Sequence, residues 1–222
     1  MTKLDPDLCA ASITTGALNS VISWIVARRR AGTEDAKYPD HVKRVETPLP
    51  GVFILTPAAF GDDRGLFFES WNERIFAEAV GSDVAFVQDN HSKSARGVLR
   101  GLHYQLPDPQ GKLVRCTAGA VWDVAVDIRR SSPTYTQWFG TELSAENKCQ
   151  LWVPVGFAHG FVALTEGAEL QYKTTEFYLG DHDRAIAWDD PEIGIEWPLD
   201  GPPSLSEKDA NAPALGEALT FD

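Results

Sequence analysis

The sequence predicts an all-β protein, either a barrel or a double-sheet jelly roll, with a few short helices. From about residue 45 onward, strand-like segments with period-two alternation of apolar and polar residues follow one another. Clusters of Gly, Pro, Asp and Ser separate these segments at the short intervals typical of sandwiches and barrels. The length of 222 residues suits one domain of this kind.

The domain is expected to span residues 45–222, after an N-terminal extension, residues 1–44, that is helical or disordered and of unknown role. Residues 9–26 of the extension are mildly apolar and are followed by three arginines. A signal peptide places its positive charge before the apolar stretch, and this stretch is too polar for a membrane span. We therefore expect a cytoplasmic protein without membrane association, with a peripheral membrane anchor as the alternative.

The first half of the domain contains short strands and one helix. A strand is predicted at residues 53–55, and a helix at Glu73–Val80, where Ile75, Phe76 and Ala79 recur at helical spacing before Gly81. Another strand follows at residues 113–117. Residues 121–128 place Trp122, Val124, Val126 and Ile128 on one face of a strand, with Asp123 and Asp127 on the other.

The second half continues the same pattern. Short strands are predicted at residues 151–153 and 161–164, and a longer strand at residues 169–178. Tyr172 and Tyr178 are six residues apart, so they share a face if that strand is regular. A helical turn is predicted at residues 206–210, with Ser206 placed to cap it.

The net charge of −12 argues against binding of a nucleic-acid polymer, because no basic excess is available to neutralise phosphates. A single nucleotide ligand remains compatible with this charge, since a few local Arg and Lys side chains are sufficient to hold one pyrophosphate. The charge therefore argues against a nucleic-acid polymer and leaves a single nucleotide as a compatible phosphate ligand.

Two histidines lie beside turn glycines, His103 and His159. The segment Pro-x-Gly-x-x-His that ends at His159 resembles the second half of the cupin metal signature. The first half needs two histidines one residue apart, yet Tyr104 and Gln105 follow His103. The three cysteines have no CxxC spacing, and an open catalytic metal site usually needs about three protein ligands. We therefore predict a cupin-like jelly-roll β-barrel without a metal.

A barrel without a metal can still move protons next to a ketone, which requires a base, an acid and a donor for the enolate oxygen. His103 is a candidate base and Lys112 a candidate enolate stabiliser. Tyr172 and Tyr178 are candidate proton donors. For each residue taken singly, a structural role is an open alternative.

Ordered blocks between about Val45 and Leu215 resemble the dTDP-4-dehydrorhamnose 3,5-epimerase family. The blocks are residues 60–65, 67–70, 86–93, 97–105, 110–115, 143–148, 154–161, 172–173 and 195–198. The resemblance implies that His103 is the base, that Asp209 is its carboxylate partner, and that Tyr172 is the acid on the opposite face. It also implies that Lys112 and His159 lie around the sugar.

The resemblance further implies contacts to the nucleotide and pyrophosphate. These residues are Arg64, Glu69, Gln88, Asn90, Arg100 and Lys208. Tyr178 lies where the family has aromatic residues near the base. Its neighbour Phe177 replaces a commoner tyrosine, and Asp183 stands where a glutamate is usual.

The implied activity is epimerisation at C3 and C5 of dTDP-4-keto-6-deoxy-D-glucose to dTDP-4-keto-L-rhamnose, a precursor for cell-surface polysaccharide. No cofactor is expected, because the ketone of the substrate acidifies the neighbouring carbons. The resemblance also implies a homodimer with exchanged strands. The alternatives are a single-site epimerase or ketoisomerase of a related dTDP-sugar, a non-catalytic sugar-nucleotide-binding cupin, and a metal-dependent cupin oxygenase.

Overall fold

A computed structural model describes residues 42–222, together with the backbone of two short strands nearer the N-terminus. The strands are β1 (Thr2–Lys3), β2 (Ile13–Thr15), β3 (Val42–Glu46), β4 (Phe53–Pro57), β5 (Ala59–Asp62), β6 (Gly65–Phe68), β7 (Gln88–Ser94), β8 (Leu99–Gln105), β9 (Lys112–Ala118), β10 (Ala120–Asp127), β11 (Trp138–Ser144), β12 (Gln150–Val153), β13 (Phe157–Ala163), β14 (Ala168–Thr174) and β15 (Asp183–Ala185). The helices are α1 (Glu73–Val80) and α2 (Glu207–Ala210), with 3₁₀ turns at Gly180–His182 and Leu215–Glu217.

Two six-stranded antiparallel sheets enclose the main core, which confirms the predicted all-β jelly roll. One sheet has the order β3-β4-β12-β9-β14-β7, and the other has the order β15-β8-β13-β10-β11-β2. Strands β1, β5 and β6 form a small third sheet. Apolar side chains of the facing sheets, such as Ile54 and Val114 from one and Phe139 and Phe161 from the other, fill the space between them.

The outer faces of both large sheets are covered as well. Helix α1 and its flanking aromatic residues pack on the β4-β12-β9 surface, where Phe76 meets Trp152 edge-on at 5.2 Å. The segment after β15 covers the other sheet and buries Trp122, Val124 and Val126. Strand β10 is therefore buried on both faces, although its alternation of apolar and acidic residues is as predicted.

Both helices within the domain are confirmed at the predicted positions. The Asn72 side chain accepts hydrogen bonds from the amides of residues 74 and 75 at the start of α1, and Gly81 ends the helix in a left-handed conformation. Ser206 caps α2 by accepting from the amide of Asp209. No helix in residues 42–222 is long and apolar enough to cross a membrane.

The strand predicted at residues 169–178 is wrong beyond Thr174, where β14 ends. Thr174 pairs with Gln88 on one side and with Lys112 on the other, and both neighbouring strands begin at those residues. No strand therefore remains for the chain to pair with, and it turns into a loop that carries Tyr178. The regular face proposed for Tyr172 and Tyr178 does not exist.

Most of the predicted extension lies outside the described residues. The two segments described within it are strands, in which β1 pairs with β5 and β2 with β11. Helix or disorder is therefore wrong for these two segments. Strand β3 begins at Val42, slightly before the predicted start of the domain. The domain boundary itself stays a prediction.

Candidate active site

A pocket of about 260 Å³ opens between the two large sheets at one end of the barrel. Both sheets, the loop after β14 and helix α2 contribute side chains to it. The lining residues include Gln88, Asn90, Arg100, His103, Gln105, Gln110, Lys112, His159, Tyr172, Tyr178, Asp183 and Lys208. Most of the residues singled out in the sequence therefore meet in one cavity.

Strands β8 and β13 approach closely at a pair of glycines. A Cβ atom on Gly101 would lie 2.5 Å from the Cα of Gly160, and Gly101 has a φ of +135° that favours glycine. Two residues further along β8, His103 is directly opposite His159 in the antiparallel register. The glycine contact thus brings two imidazoles to the floor of the pocket.

His103 forms a short hydrogen bond with Asp209, with 2.5 Å between Nε2 and Oδ1. Asp209 is buried in α2, and its other oxygen accepts from the Ser206 hydroxyl at 2.8 Å. Because an ionised carboxylate can only accept, Nε2 of His103 donates to Asp209, which leaves Nδ1 to take up a proton.

The pKa shifts of this pair favour a neutral imidazole on His103 next to an ionised carboxylate on Asp209. Burial lowers the pKa of His103, although the bond to Asp209 acts in the opposite direction. Burial raises the pKa of Asp209, but the hydrogen bonds from His103, Ser206 and the Gly101 backbone together lower it by more than burial raises it. The net shift of this pKa is therefore downward. The imidazole is therefore neutral near pH 7 and able to accept a proton.

A second histidine–carboxylate pair lies beside the first. Nε2 of His159 is 3.0 Å from each carboxylate oxygen of Asp123. Asp123 is fully buried and His159 nearly so. A buried carboxylate of this kind fixes the ring orientation and tautomer of its histidine, so both imidazoles are held in place.

Lys112 supplies a buried positive charge next to both pairs. Its Nζ donates to the backbone carbonyl of His103 at 3.2 Å, and its side chain is almost completely buried. Burial lowers the pKa of Lys112 to about 8, against the opposing attraction of Asp183 and Asp123. The ammonium is thus charged at neutral pH and shielded from water, so that its charge acts strongly on nearby groups.

Two tyrosines line the opposite side and the mouth of the pocket. Tyr172 comes from β14, in the sheet that faces the histidines, and burial raises its pKa. Tyr178 lies on the loop after β14, and its hydroxyl donates to Asp183 at 3.1 Å. Asp183 also accepts a short hydrogen bond from Lys208. The candidate base His103 and the candidate acid Tyr172 therefore lie on different sheets.

Two of the candidate nucleotide contacts do not reach this pocket in the single chain. Arg64 is on the β5–β6 hairpin, with its side chain 84% exposed and paired with Asp62. Glu69 follows the same hairpin and lines a small separate cleft near α1. By contrast, Arg100 does line the pocket, where its Nε donates to Ser94 at 3.2 Å.

Sequence reasoning missed several residues that the structure brings to the site, among them Asp123 and Gln105. Asp123 is the partner of His159, and its signal was a carboxylate inside an otherwise apolar strand. Gln105 is 3% exposed and lines the pocket. Gln105 lies two residues after His103, where the cupin metal signature has a ligand, and the sequence indicated no other role for it.

The donor set at the cupin metal position is not that of a metal site. Tyr104 faces the opposite side of its sheet, and its hydroxyl donates to the carbonyl of Leu219. Gln105 bonds to loop backbone instead. Across residues 42–222, no three His, Cys, Asp or Glu side chains are grouped so that they could hold a metal ion.

The pKa shifts predict a bell-shaped dependence of kcat/KM on pH. Activity falls at low pH, as His103 is protonated below its ordinary pKa, and at high pH, as the Lys112 ammonium loses its proton near pH 8. Lys112→Arg retains the charge to much higher pH, so its alkaline limb is expected to disappear from the region of pH 8. An unchanged alkaline limb in this variant would exclude Lys112 as its source.

Comparison with known proteins identifies the family. Residues 46–217 match the sequence profile of dTDP-4-dehydrorhamnose 3,5-epimerase. The chain is 59% identical over 180 residues to the Pseudomonas aeruginosa protein of that name, with 81% of this chain and 99% of the relative covered. It is 58% identical over 176 residues to the Salmonella typhimurium protein, covering 79% and 96%.

A solved relative has the same fold. The dTDP-6-deoxy-D-glucose-3,5-epimerase of Legionella pneumophila, in complex with dTDP-4-keto-L-rhamnose, superposes with a TM-score of 0.78 at 47% identity. The match covers 80% of this chain and 94% of the relative. Profile, sequence and fold agree, and the chain belongs to the dTDP-4-dehydrorhamnose 3,5-epimerase family.

Proposed function

We propose that this protein epimerises C3 and C5 of dTDP-4-keto-6-deoxy-D-glucose to give dTDP-4-keto-L-rhamnose. The observation that carries the proposal is the His103–Asp209 pair, which faces a pocket also lined by Lys112 and Tyr172. Base, cation and acid are the groups that proton transfer next to a ketone requires. The relatives named dTDP-4-dehydrorhamnose 3,5-epimerase, at up to 59% identity over nearly their full length, support this choice of substrate.

In this mechanism, Nδ1 of His103 removes the proton from the carbon next to the C4 ketone. The electron pair of the broken C–H bond moves into the ketone, and the enolate oxygen that forms is stabilised by the Lys112 ammonium. Tyr172 then returns a proton to the other face of the carbon. The protonated His103 releases its proton to solvent and Tyr172 takes one up from solvent, so both groups regain their starting states. The sequence is carried out once at C3 and once at C5, and it uses no metal or cofactor.

The direct test is proton NMR of the purified protein with dTDP-4-keto-6-deoxy-D-glucose in deuterated water. Loss of both the H3 and the H5 signals, with formation of the L-rhamno product, is the expected result. Loss of only one signal would instead assign a single-site epimerase. Retention of both signals would remove the proposed function and leave a binding role.

We also propose that the working form is a homodimer, in the cytoplasm, in which each β5–β6 hairpin reaches the partner's pocket. Arg64 and Glu69 lie away from the pocket of their own protomer, although the family resemblance implies nucleotide contacts for both. In the same hairpin, Phe67 is 69% exposed and Leu66 is 45% exposed, which is unusual for neighbouring large apolar side chains. A second copy that covers these residues explains both observations.

Mixing two variants tests this arrangement. His103→Ala and Arg64→Ala homodimers are each expected to have low activity at limiting substrate. A mixed dimer contains one pocket with His103 intact and with Arg64 supplied by the other chain. Activity restored after unfolding and refolding the two variants together supports the homodimer, whereas mixed dimers without restored activity contradict it.

A further inference from the structure

We propose that Gln105 is a positioning residue that fixes the loop of residues 176–179 in the conformation that binds the nucleotide sugar. The inference rests on the proposed function, since the affinity it concerns is that for a dTDP ligand. It assigns a role to a buried glutamine that takes no part in the proton transfers described above.

Gln105 holds this loop on both sides of Tyr178. Its Nε2 donates to the carbonyl of Phe177 at 3.1 Å, and its Oε1 accepts from the amide of Leu179 at 2.9 Å. The same Nε2 donates to the carbonyl of Asp108 at 2.5 Å, which ties the loop to the turn after β8. The side chain is 3% exposed, so these bonds are shielded from water.

Two more glutamines complete the attachment of the loop. Oε1 of Gln88 accepts from the amide of Tyr178 at 2.9 Å. Nε2 of Gln110 donates to the carbonyl of Glu176 at 2.8 Å, and this carbonyl also accepts from the Thr174 hydroxyl. Side chains from three separate parts of the barrel thus replace the ladder bonds that the chain loses when β14 ends.

The loop combines a fixed backbone with exposed side chains. Phe177 and Tyr178 are 57% and 56% exposed, and Leu179 is 40% exposed. Apart from the bond from the Tyr178 hydroxyl to Asp183, the loop is held through its backbone by the hydrogen bonds to the three glutamines. Tyr178 lines the pocket, so the loop must be ordered when the ligand is bound. If the loop is already ordered in the free protein, the entropy cost of binding is lower and the affinity is higher.

The test compares Gln105→Leu with Asn147→Leu. Asn147 is a matched control, because its side-chain amide also holds a loop from both sides: Nδ2 donates to the carbonyl of Glu142 at 2.9 Å, and Oδ1 accepts from the amides of Ser144 and Cys149 at 3.0 Å. This loop, between β11 and β12, does not line the pocket. Calorimetric titration with dTDP measures affinity, and the NMR assay at saturating substrate measures kcat. For Gln105→Leu we expect the Kd for dTDP and the KM to rise about tenfold, with kcat within about threefold of the unmodified protein.

Asn147→Leu is expected to change neither constant. Equal Kd values for Gln105→Leu and the unmodified protein would overturn the inference, as would a fall in kcat without a change in KM. If the unmodified protein itself fails to bind dTDP, the proposed function fails instead. Hydrogen exchange of the unmodified protein gives an independent check, because slow exchange is expected for the amides of Tyr178 and Leu179, and fast exchange there would also overturn the inference.

Discussion

Replacing His103 with Ala is expected to lower turnover by at least about 10³-fold while leaving affinity for dTDP within a few-fold. The variant removes the imidazole bonded to Asp209, and the candidate nucleotide contacts Gln88, Asn90 and Arg100 line other parts of the pocket. The NMR assay in deuterated water should show that exchange at H3 and H5 is lost together, because one base is proposed to serve both carbons.

His91→Ala is the matched control for this variant. His91 also pairs with a carboxylate, with Nε2 at 3.2 Å from Glu169, but it lies outside the pocket. Added imidazole should restore part of the activity of His103→Ala by occupying the vacated space, and it should have no effect on the control. Near-normal turnover of His103→Ala would exclude His103 as the base.

Replacing Tyr172 with Phe is expected to separate proton removal from proton return. Formation of the L-rhamno product should fall by about 10²- to 10⁴-fold, because the acid on the second face is lost. Loss of the H3 and H5 signals should continue, since His103 and Lys112 remain and the base can return deuterium to the face from which it took the proton. The structure makes this separation possible, as Tyr172 is on β14 and His103 is on the opposite sheet.

Tyr135→Phe, which packs on the far side of the β8–β13 sheet, is the control for that experiment. It should retain both exchange and product formation. If Tyr172→Phe forms product at the unmodified rate, another group returns the proton. If it loses exchange as well as product, the role of Tyr172 is in binding or in the first proton transfer.

Local sequence patterns predicted the elements that depend on local rules. Helix α1 was recognisable from its apolar spacing and from Gly81, and α2 from Ser206, because caps and periodicity act within one or two turns. The alternation in β10 was also correct. Its burial on both faces could not be predicted, since the covering segment follows β15, far along the chain.

In the candidate site, too, some residues were indicated by the sequence and others acquire their role only through the fold. Family blocks pointed to His103, Lys112 and Tyr172, and the fold brings these residues to one pocket. The end of β14 depends on where two neighbouring strands begin, which is a property of register and not of residues 169–178 themselves. The roles of Asp123 and Gln105 likewise arise from partners that are distant in sequence.

The side-by-side histidine–aspartate pairs give this protein two intrinsic spectroscopic reporters. Each imidazole has its own carboxylate, Asp209 for His103 and Asp123 for His159, so each ring N–H is held by a separate hydrogen bond. Nitrogen-15 labelling of histidine should therefore yield two ring signals shifted to low field, with distinct positions because the two bonds differ in length. His103 is the proposed base, and the family resemblance implies that His159 lies near the sugar. One titration with ligand should therefore follow the two signals separately, and so distinguish ligand arrival from a change at the proposed base.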